Sequence, residues 1–372
     1  MRFIKRSAGA VGLLDFPKLV AVRRDAARRA RLFTKPDLTY LFWEATLRCN
    51  LRCLHCGSSC EARSPVKELE TAQVLAIVDS IAEDFDARRI FVSITGGEPL
   101  LRPDLYEVVA RMTHHGMRSC IVTNGTLLGP EQAAKLFDAG MRTVSVSIDG
   151  MEHEHEAVRG RGTWKRSLAG LTNARRAGFR TVEAITCVRP ANLHQLEEIE
   201  RTVRGSGAGL YRLITIDRMG RLANQDGADM WLTPPQVRVL LDHVERRRRE
   251  LAKAKDRFDV RFSCGGFLGV ERELTVRPGD GQCFAGLCVG SILADGQVSA
   301  CPSLPRSWAQ GSALDERFSK IWYGKFKDYR ETAWRKTGAC SDCSFWEICQ
   351  GGGLHERLAQ PEEFCWLDRQ DG

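Results

Sequence analysis

Cys49, Cys53 and Cys56 form a C-x3-C-x2-C cluster directly after the apolar run Tyr40–Thr46. Thiolates are soft ligands, and a short loop lets several of them reach one metal centre. Three thiolates hold three irons of a cubane iron–sulfur cluster and leave the fourth iron without a protein ligand, a corner open to chemistry. On spacing alone, a structural zinc site completed by Cys60 or His55 is the competing assignment. The tail holds a second concentration of the same residue type: Cys283-x4-Cys288, Gly296-x4-Cys301, Cys340-x2-Cys343-x5-Cys349, and Cys365. Fourteen cysteines in 372 residues, most of them in tight clusters, suit metal ligands better than disulfides and point to a reducing cytoplasm.

These residues need a frame to position them. From residue 40 a repeating pattern begins, with strands expected at Tyr40–Thr46, Ile90–Thr95, Ser119–Thr123, Thr143–Ile148, Thr181–Val188 and Gly209–Ile216. Helices are expected between and after them at Ala72–Phe85, Asp104–His115, Pro130–Asp138, Thr163–Ala177, Leu193–Arg204 and Pro234–Lys253. The strand segments are short and rich in Val, Ile and Thr, and the helical ones repeat their apolar residues at 3.6 spacing. Gly116, Gly140 and Gly178 each stop a helix before a new strand. Six such units predict an α/β fold, a partial (β/α)6 TIM-like barrel or open parallel sheet, with helices outside. The cysteine loop then falls at the C-terminal rim of the sheet, where active sites collect.

After about residue 260 the chain becomes rich in Cys and Gly, with few long helices. A small Cys-rich α+β domain at 261–372 is expected, with little core of its own and a need for metal to hold it. Residues 1–38 form a short basic extension with one helix over Leu19–Leu32, and 39–260 form the barrel. No stretch of 18 apolar residues suggests a membrane span, and Asp15 and Pro17 break what would be a signal peptide. The net charge of +8 is partly local, in Arg23, Arg24, Arg28, Arg29, Arg31 and Lys35, and in Arg246–Arg249. Solvated helix faces or attraction of an acidic peptide both fit these blocks. No interleaving of aromatic with basic residues supports a nucleic-acid partner.

The cysteine loop closely resembles that of the radical S-adenosylmethionine enzymes, and Gly96-Gly97-Glu98-Pro99 after the second strand supports the same resemblance. In that family the three cysteines hold a [4Fe–4S] cluster whose open iron is chelated by the methionine part of S-adenosyl-L-methionine. Reduction then yields a 5'-deoxyadenosyl radical. The resemblance implies that Gly96, Gly97, Glu98 and Pro99 receive the cofactor's amino group. It also implies that Asn124, Ser147, Asp149 and Arg189, at the ends of later strands, hold its ribose and carboxylate. Alternation puts Ser145, Ser147 and Asp149 on one strand face. Met219-Gly220-Arg221 follows the sixth strand, and Arg159 and Arg161 lie in a Gly-rich loop able to cover the site. His55 stands where the family often has an aromatic residue.

The tail resembles the SPASM extension of peptide-modifying radical enzymes, which carries two auxiliary clusters. Carried over, Cys340, Cys343, Cys349 and Cys365 hold the distal cluster, and Cys283, Cys288 and Cys301 the proximal one. The pattern breaks at Gly353, where its cysteine is missing, so the proximal cluster lacks a fourth ligand. Cys264 substitutes, the iron stays open, or the cluster differs in type or is absent. Cys120 and Cys187 lie inside strands and read as buried small hydrophobes.

The resemblance implies an oxidoreductase acting on a ribosomally made precursor peptide to form a C–C, C–O or thioether crosslink between side chains. Dehydrogenation of a small molecule or protein residue, and peptide epimerisation, are the alternatives. Cys60, Cys264 and Arg221 are the catalytic candidates. The implied partners are an external electron donor such as flavodoxin or ferredoxin and a separate leader-recognition protein. No nucleic-acid or membrane partner is expected.

Overall fold

A computed structural model describes residues 16–223, 229–263, 265–279, 282–359 and 365–367. The described residues start with α1 (Phe16–Thr34), then β1 (Tyr40–Thr46), α2 (Thr71–Asp84), β2 (Phe91–Gly96), α3 (Leu105–His114), β3 (Arg118–Thr123), α4 (Pro130–Asp138) and β4 (Thr143–Ser147). Two helices follow, α5 (Glu152–Arg159) and α6 (Thr163–Arg176), then β5 (Thr181–Val188), α7 (Leu196–Gly205), β6 (Leu210–Thr215), α8 (Pro234–Lys253) and β7 (Asp259–Phe262). The tail adds α9 (Val270–Val276), β8 (Val289–Ile292), β9 (Val298–Ser299), α10 (Phe318–Gly324), α11 (Lys327–Arg330), α12 (Trp346–Cys349) and α13 (Leu354–Ala359).

The strands form one sheet in the order β7-β6-β5-β4-β3-β2-β1-β8-β9, parallel except for the last pair. This is the expected partial barrel of six parallel strands, extended by β7 beside β6 and by β8 beside β1. The expected division at 260–261 falls inside β7. Strands β1 to β6 all run toward the same rim, so the loops after them converge there.

The strand faces explain the layers. Val92 and Ile94 of β2, Val144 and Val146 of β4, and Leu213 of β6 are fully buried under the outer helices, whose inner stripes include Val74, Val108, Leu136 and Leu171. The opposite, inward face is polar. Ser145 donates to Glu183, which also accepts from Arg212 at 2.7 Å, so charge inside the barrel is paired rather than exposed.

The tail does not lack a core. Phe318, Ile321, Trp322, Phe326 and Tyr329 are buried in the same apolar cluster as β1 and α2. Trp322 lies 4.9 Å from Phe326, and Phe326 lies 4.8 Å from Tyr329, ring centre to ring centre. Aromatic residues at 3–4 spacing pack this part against the barrel.

Helix α1 is longer than expected and docks on the tail. Val22 packs with Phe267, Val270 and Ile348, and Arg29 donates to the carbonyl of Ile348. Arg29 is thus buried, while Arg23, Arg24, Arg28, Arg31 and Lys35 face solvent. The second basic block is internally compensated. Arg246, Arg247, Arg248 and Arg249 pair with Glu197, Glu200, Asp259 and Glu245, so much of its charge is locally balanced. No helix among the described residues is long and apolar enough to cross a membrane.

Candidate functional site

The first cysteine loop leaves β1 and is zipped to the loop after β2. Gly97 N–H donates to the Thr46 carbonyl at 2.7 Å, and Glu98 N–H to the Arg48 carbonyl at 2.9 Å. The contact needs two glycines. A Cβ at Gly96 would lie 2.2 Å from the Thr46 oxygen, and φ there is +120°. A Cβ at Gly97 would lie 2.1 Å from the Arg48 oxygen. The two motifs read separately in the sequence are therefore one piece of backbone.

Glu98 does not present its carboxylate to the chamber. It is fully buried and accepts from Thr123 Oγ1 at 2.7 Å, Asn124 N at 2.9 Å and Leu100 N at 3.2 Å. Burial pushes its carboxyl up to about 6, against these bonds. Through these bonds it ties β2 to β3. Pro99 begins a short turn after it. Asn124 carries the tie onward: its Nδ2 donates to Asn50 Oδ1 at 2.9 Å and lies 4.0 Å from Cys49 Sγ.

On the opposite side the loop is stapled to the segment after β6. A Cβ at Gly220, whose φ is +55°, would lie 2.3 Å from the Cys56 oxygen. Arg221 donates to the Cys53 carbonyl at 2.8 Å and to the Cys60 carbonyl. Arg221 thus holds the loop's shape. Cys60 sits beneath it, 3% exposed, packed with Leu47 and Ala294. Its N–H points at Cys56 Sγ, 3.4 Å away. Hydrogen bonding from Cys60 lowers the Cys56 thiol and raises that of Cys60. The catalytic candidate Cys264 lies outside the described residues.

Asp149 is the electrostatic hub of the rim. Its Oδ2 accepts from Arg159 Nε at 2.5 Å and lies 2.9 Å from His55 Nε2, and its Oδ1 accepts from Cys187 N at 2.8 Å. Burial alone would raise its pKa, but Arg159 and His55 hold the carboxyl well below the usual range. Arg159 ends α5 rather than lying in a loop, and its Nη1 reaches to 3.9 Å from Cys53 Sγ. Ser147 remains partly exposed at the end of β4. Arg189 is turned away to Glu154, at 2.7 Å. Arg161, on the loop before α6, is exposed.

The sequence reading missed His155, Asn192 and the position of Cys187. His155 Nδ1 accepts from Asp149 N at 3.0 Å, and Asn192 Nδ2 donates to the carbonyls of Asp149 and Cys187, both at 2.9 Å. Cys120 is buried as expected. Cys187 is instead half-buried at the rim, its sulfur within 4.8 Å of ligand atoms of His55 and Asp149. Alternation along β5 carried the signal, since Cys187 shares a face with the inward Glu183.

In the tail, Cys340, Cys343, Cys349 and Cys365 line one cavity with Gly351 and Gly352. Both glycines have positive φ, +87° and +76°, so the loop curls around the space. Arg357 Nη2 lies 2.6 Å from Cys340 Sγ. Cys288 and Cys301 flank the β8–β9 hairpin. Its register sets Ser291 opposite Ser299, close to both of these cysteines in the chain.

These donor sets fit iron–sulfur clusters. In the first loop, thiols sit together under backbone N–H groups, with Leu51 N 3.4 Å from Cys49 Sγ. Burial pushes the Cys49 thiol up to about 11, and a cation in the loop would favour its ionised form.

Comparison with known proteins agrees. Residues 43–203 match the family model described as Radical SAM superfamily, and residues 283–344 match SPASM, an iron-sulfur cluster-binding domain. The mycofactocin maturase MftC of Mycolicibacterium smegmatis is 34% identical over 321 residues, 84% of this chain and 77% of that protein. An AdoMet-dependent heme synthase of Methanosarcina barkeri is 31% identical, over 83% of this chain and 89% of the relative. The solved structure of native anSMEcpe with bound AdoMet and Cp18Cys peptide shares the fold, with a TM-score of 0.71 at 18% identity, covering 90% of this chain and 94% of that one.

Proposed function

The chain belongs to the radical SAM superfamily and carries a SPASM extension, and from that premise we propose that it is a maturase that oxidises a ribosomally made peptide, joining two of its side chains. Membership brings S-adenosylmethionine, a [4Fe–4S] cluster and auxiliary iron–sulfur clusters. When bound, that cofactor pair supplies the removal of a hydrogen atom from an unactivated C–H bond. The ligands we assign are Cys49, Cys53 and Cys56 for the first cluster, Cys340, Cys343, Cys349 and Cys365 for the distal one, and Cys283, Cys288 and Cys301 for the proximal one.

The protein's own part is placement and shielding. The backbone of Gly96 to Pro99 is fixed against the cysteine loop and would hold the cofactor's amino group. Arg221 and Gly220 lock the loop from the other side. Asp149, Arg159 and His55 line the rim with paired charge.

The observation that carries the peptide reading is the relationship to the mycofactocin maturase, which spans most of both chains. The heme synthase relative favours a second reading, oxidation of a tetrapyrrole side chain. One anaerobic experiment separates them. The reconstituted, reduced protein is incubated with S-adenosylmethionine and either the small peptides encoded beside it or an iron coproporphyrin. A peptide two daltons lighter, with 5'-deoxyadenosine formed in step, is the expected result. Turnover of the porphyrin alone reverses the assignment, and deuterium uptake into a peptide of unchanged mass identifies an epimerase.

A further inference from the structure

The two basic blocks of this chain end differently. Arg246 to Arg249 are balanced by carboxylates. Arg23, Arg24, Arg28, Arg31 and Lys35 are exposed, and among the described residues none of them is in an ion pair. Arg24, Arg28 and Arg31 recur at i, i+4 and i+7, and Lys35 continues the row, so they make one stripe along α1. Val20, half-exposed, heads the same stripe. The opposite stripe, with Leu19, Val22, Ala26 and Arg29, is packed on the tail.

What lies under α1 gives its outer face a meaning. Cys349, assigned to the distal cluster, packs in the same apolar cluster as Val22, Phe267 and Ile348. Arg28 lies over the ring of Phe284, 5.7 Å from its centre, and Phe284 directly follows Cys283. The charged stripe is therefore about one helix diameter, ~10–12 Å, from the distal cysteines. A convex helix face has neither a groove nor an open strand edge, so it suits a globular partner better than an extended peptide. A row of unbalanced cations selects an acidic partner, and one helix face gives the small interface of an electron-transfer encounter.

We propose that the outer face of α1 docks an acidic one-electron carrier protein, of the flavin or iron–sulfur kind, which exchanges an electron with the distal cluster. The proposal rests on the readings that Cys340, Cys343, Cys349 and Cys365 hold that cluster and that the reaction is an oxidation. Joining two side chains removes two hydrogens from the peptide. One leaves as an atom, the other as a proton and an electron. The oxidised carrier takes up that electron through the distal cluster, with no bond made or broken in the transfer.

The test uses the full chain, reconstituted anaerobically, reduced, freed of reductant and mixed with oxidised flavodoxin while semiquinone formation is followed by stopped flow. The rate should fall steeply with added salt. Arg24→Glu combined with Arg28→Glu and Arg31→Glu should cut the low-salt rate about tenfold and flatten the salt dependence. The corresponding triple lysine variant should keep both. Dithionite-driven formation of 5'-deoxyadenosine should be the same in all of these proteins. Arg28→Gln and Arg31→Gln, taken singly, report the same effect at smaller size should the charge-reversed variant not fold. Parent-like rates and salt dependence in the glutamate and glutamine variants overturn the proposal, as does an equal loss in the lysine variant. Parent-like transfer with lost affinity for polyglutamate also overturns it and makes the face a peptide-docking surface. If Cys343→Ala passes electrons to flavodoxin at the parent rate, the reading of the distal cluster fails, which is a separate failure.

Discussion

Arg159 bridges Asp149 and Cys53: its Nε lies 2.5 Å from the Asp149 carboxylate and its Nη1 lies 3.9 Å from the Cys53 sulfur. The side chain is only 9% exposed, so its charge is little screened. Burial disfavours the guanidinium's charge, but Asp149 and Cys53 more than restore it and keep it above the ordinary range.

A fixed cation beside a ligating sulfur stabilises the more negative, reduced form of a cluster. Arg159→Gln should therefore shift the first cluster's potential to more negative values and slow cofactor cleavage by about 10–100-fold, the usual cost of removing an outer partner of a metal site. Arg159→Lys keeps the charge but not the fork, and should recover the potential better than the rate. A redox titration followed by electron paramagnetic resonance checks the first effect, and 5'-deoxyadenosine formation the second.

Gly97→Ala tests the joint between the two motifs. Its Cβ would meet the Arg48 backbone oxygen at 2.1 Å and Cys49 Cβ at 3.2 Å, and neither can swing aside without moving the chain. Overpacking of this kind costs about 1–3 kcal/mol. The strain should appear as lost iron in the first cluster and weaker binding of S-adenosylmethionine, with the distal cluster unchanged. Iron counting and calorimetry of the variant measure both.

The parallel units and the cysteine spacings were legible because each depends on local pattern: apolar periodicity for the strands and helices, ligand spacing for the loops. The ties of Glu98 were not. Its type suggested a receptor for an ammonium group, and the bonds it accepts from Thr123 and from Asn124 N, at the end of another strand, could not be read beside that role. Long-range pairing of this sort has no signature at fixed spacing. Helix α5 was missed for a related reason. Glu152–Arg159 is polar almost throughout and buries only His155 and Val158, too few residues to register as an apolar stripe. The tail's core was underestimated because Phe318, Trp322, Phe326 and Tyr329 were read as part of a cysteine-rich region and not as a helical repeat.

His155 predicts how stability responds to acid. Burial, then the nearby Arg159, lowers its pKa from 6.5 to about 4, and the neutral ring accepts the Asp149 N–H. The unfolded chain binds a proton at this residue below about pH 6.5, while the folded chain resists until about pH 4. The group's contribution is thus fully present above pH 6.5 and is lost as pH falls toward 4, by about 3 kcal/mol on an order-of-magnitude basis. His155→Asn retains an acceptor without a titrating ring. Denaturant unfolding across this range should show the variant losing less stability than the parent.

Removing the distal cluster should loosen the tail locally and not unfold it. Its four assigned cysteines lie on loops and single turns around one cavity, and that stretch contributes few side chains to the main core. The rest of the tail is anchored independently, by β8 pairing with β1 and by the aromatic side chains of α10 and α11 packed under α2. Helix α1 spans the difference, since Arg29 and Val22 hold Ile348 from outside the cavity. Cys343→Ala should accordingly speed hydrogen exchange in residues 338–352 and 365–367, by the large factors that accompany local opening. Exchange in β8 and in Phe318–Gly324 should stay at parent rates. Uniform acceleration through the whole tail would show that metal, and not the aromatic packing, holds it to the barrel.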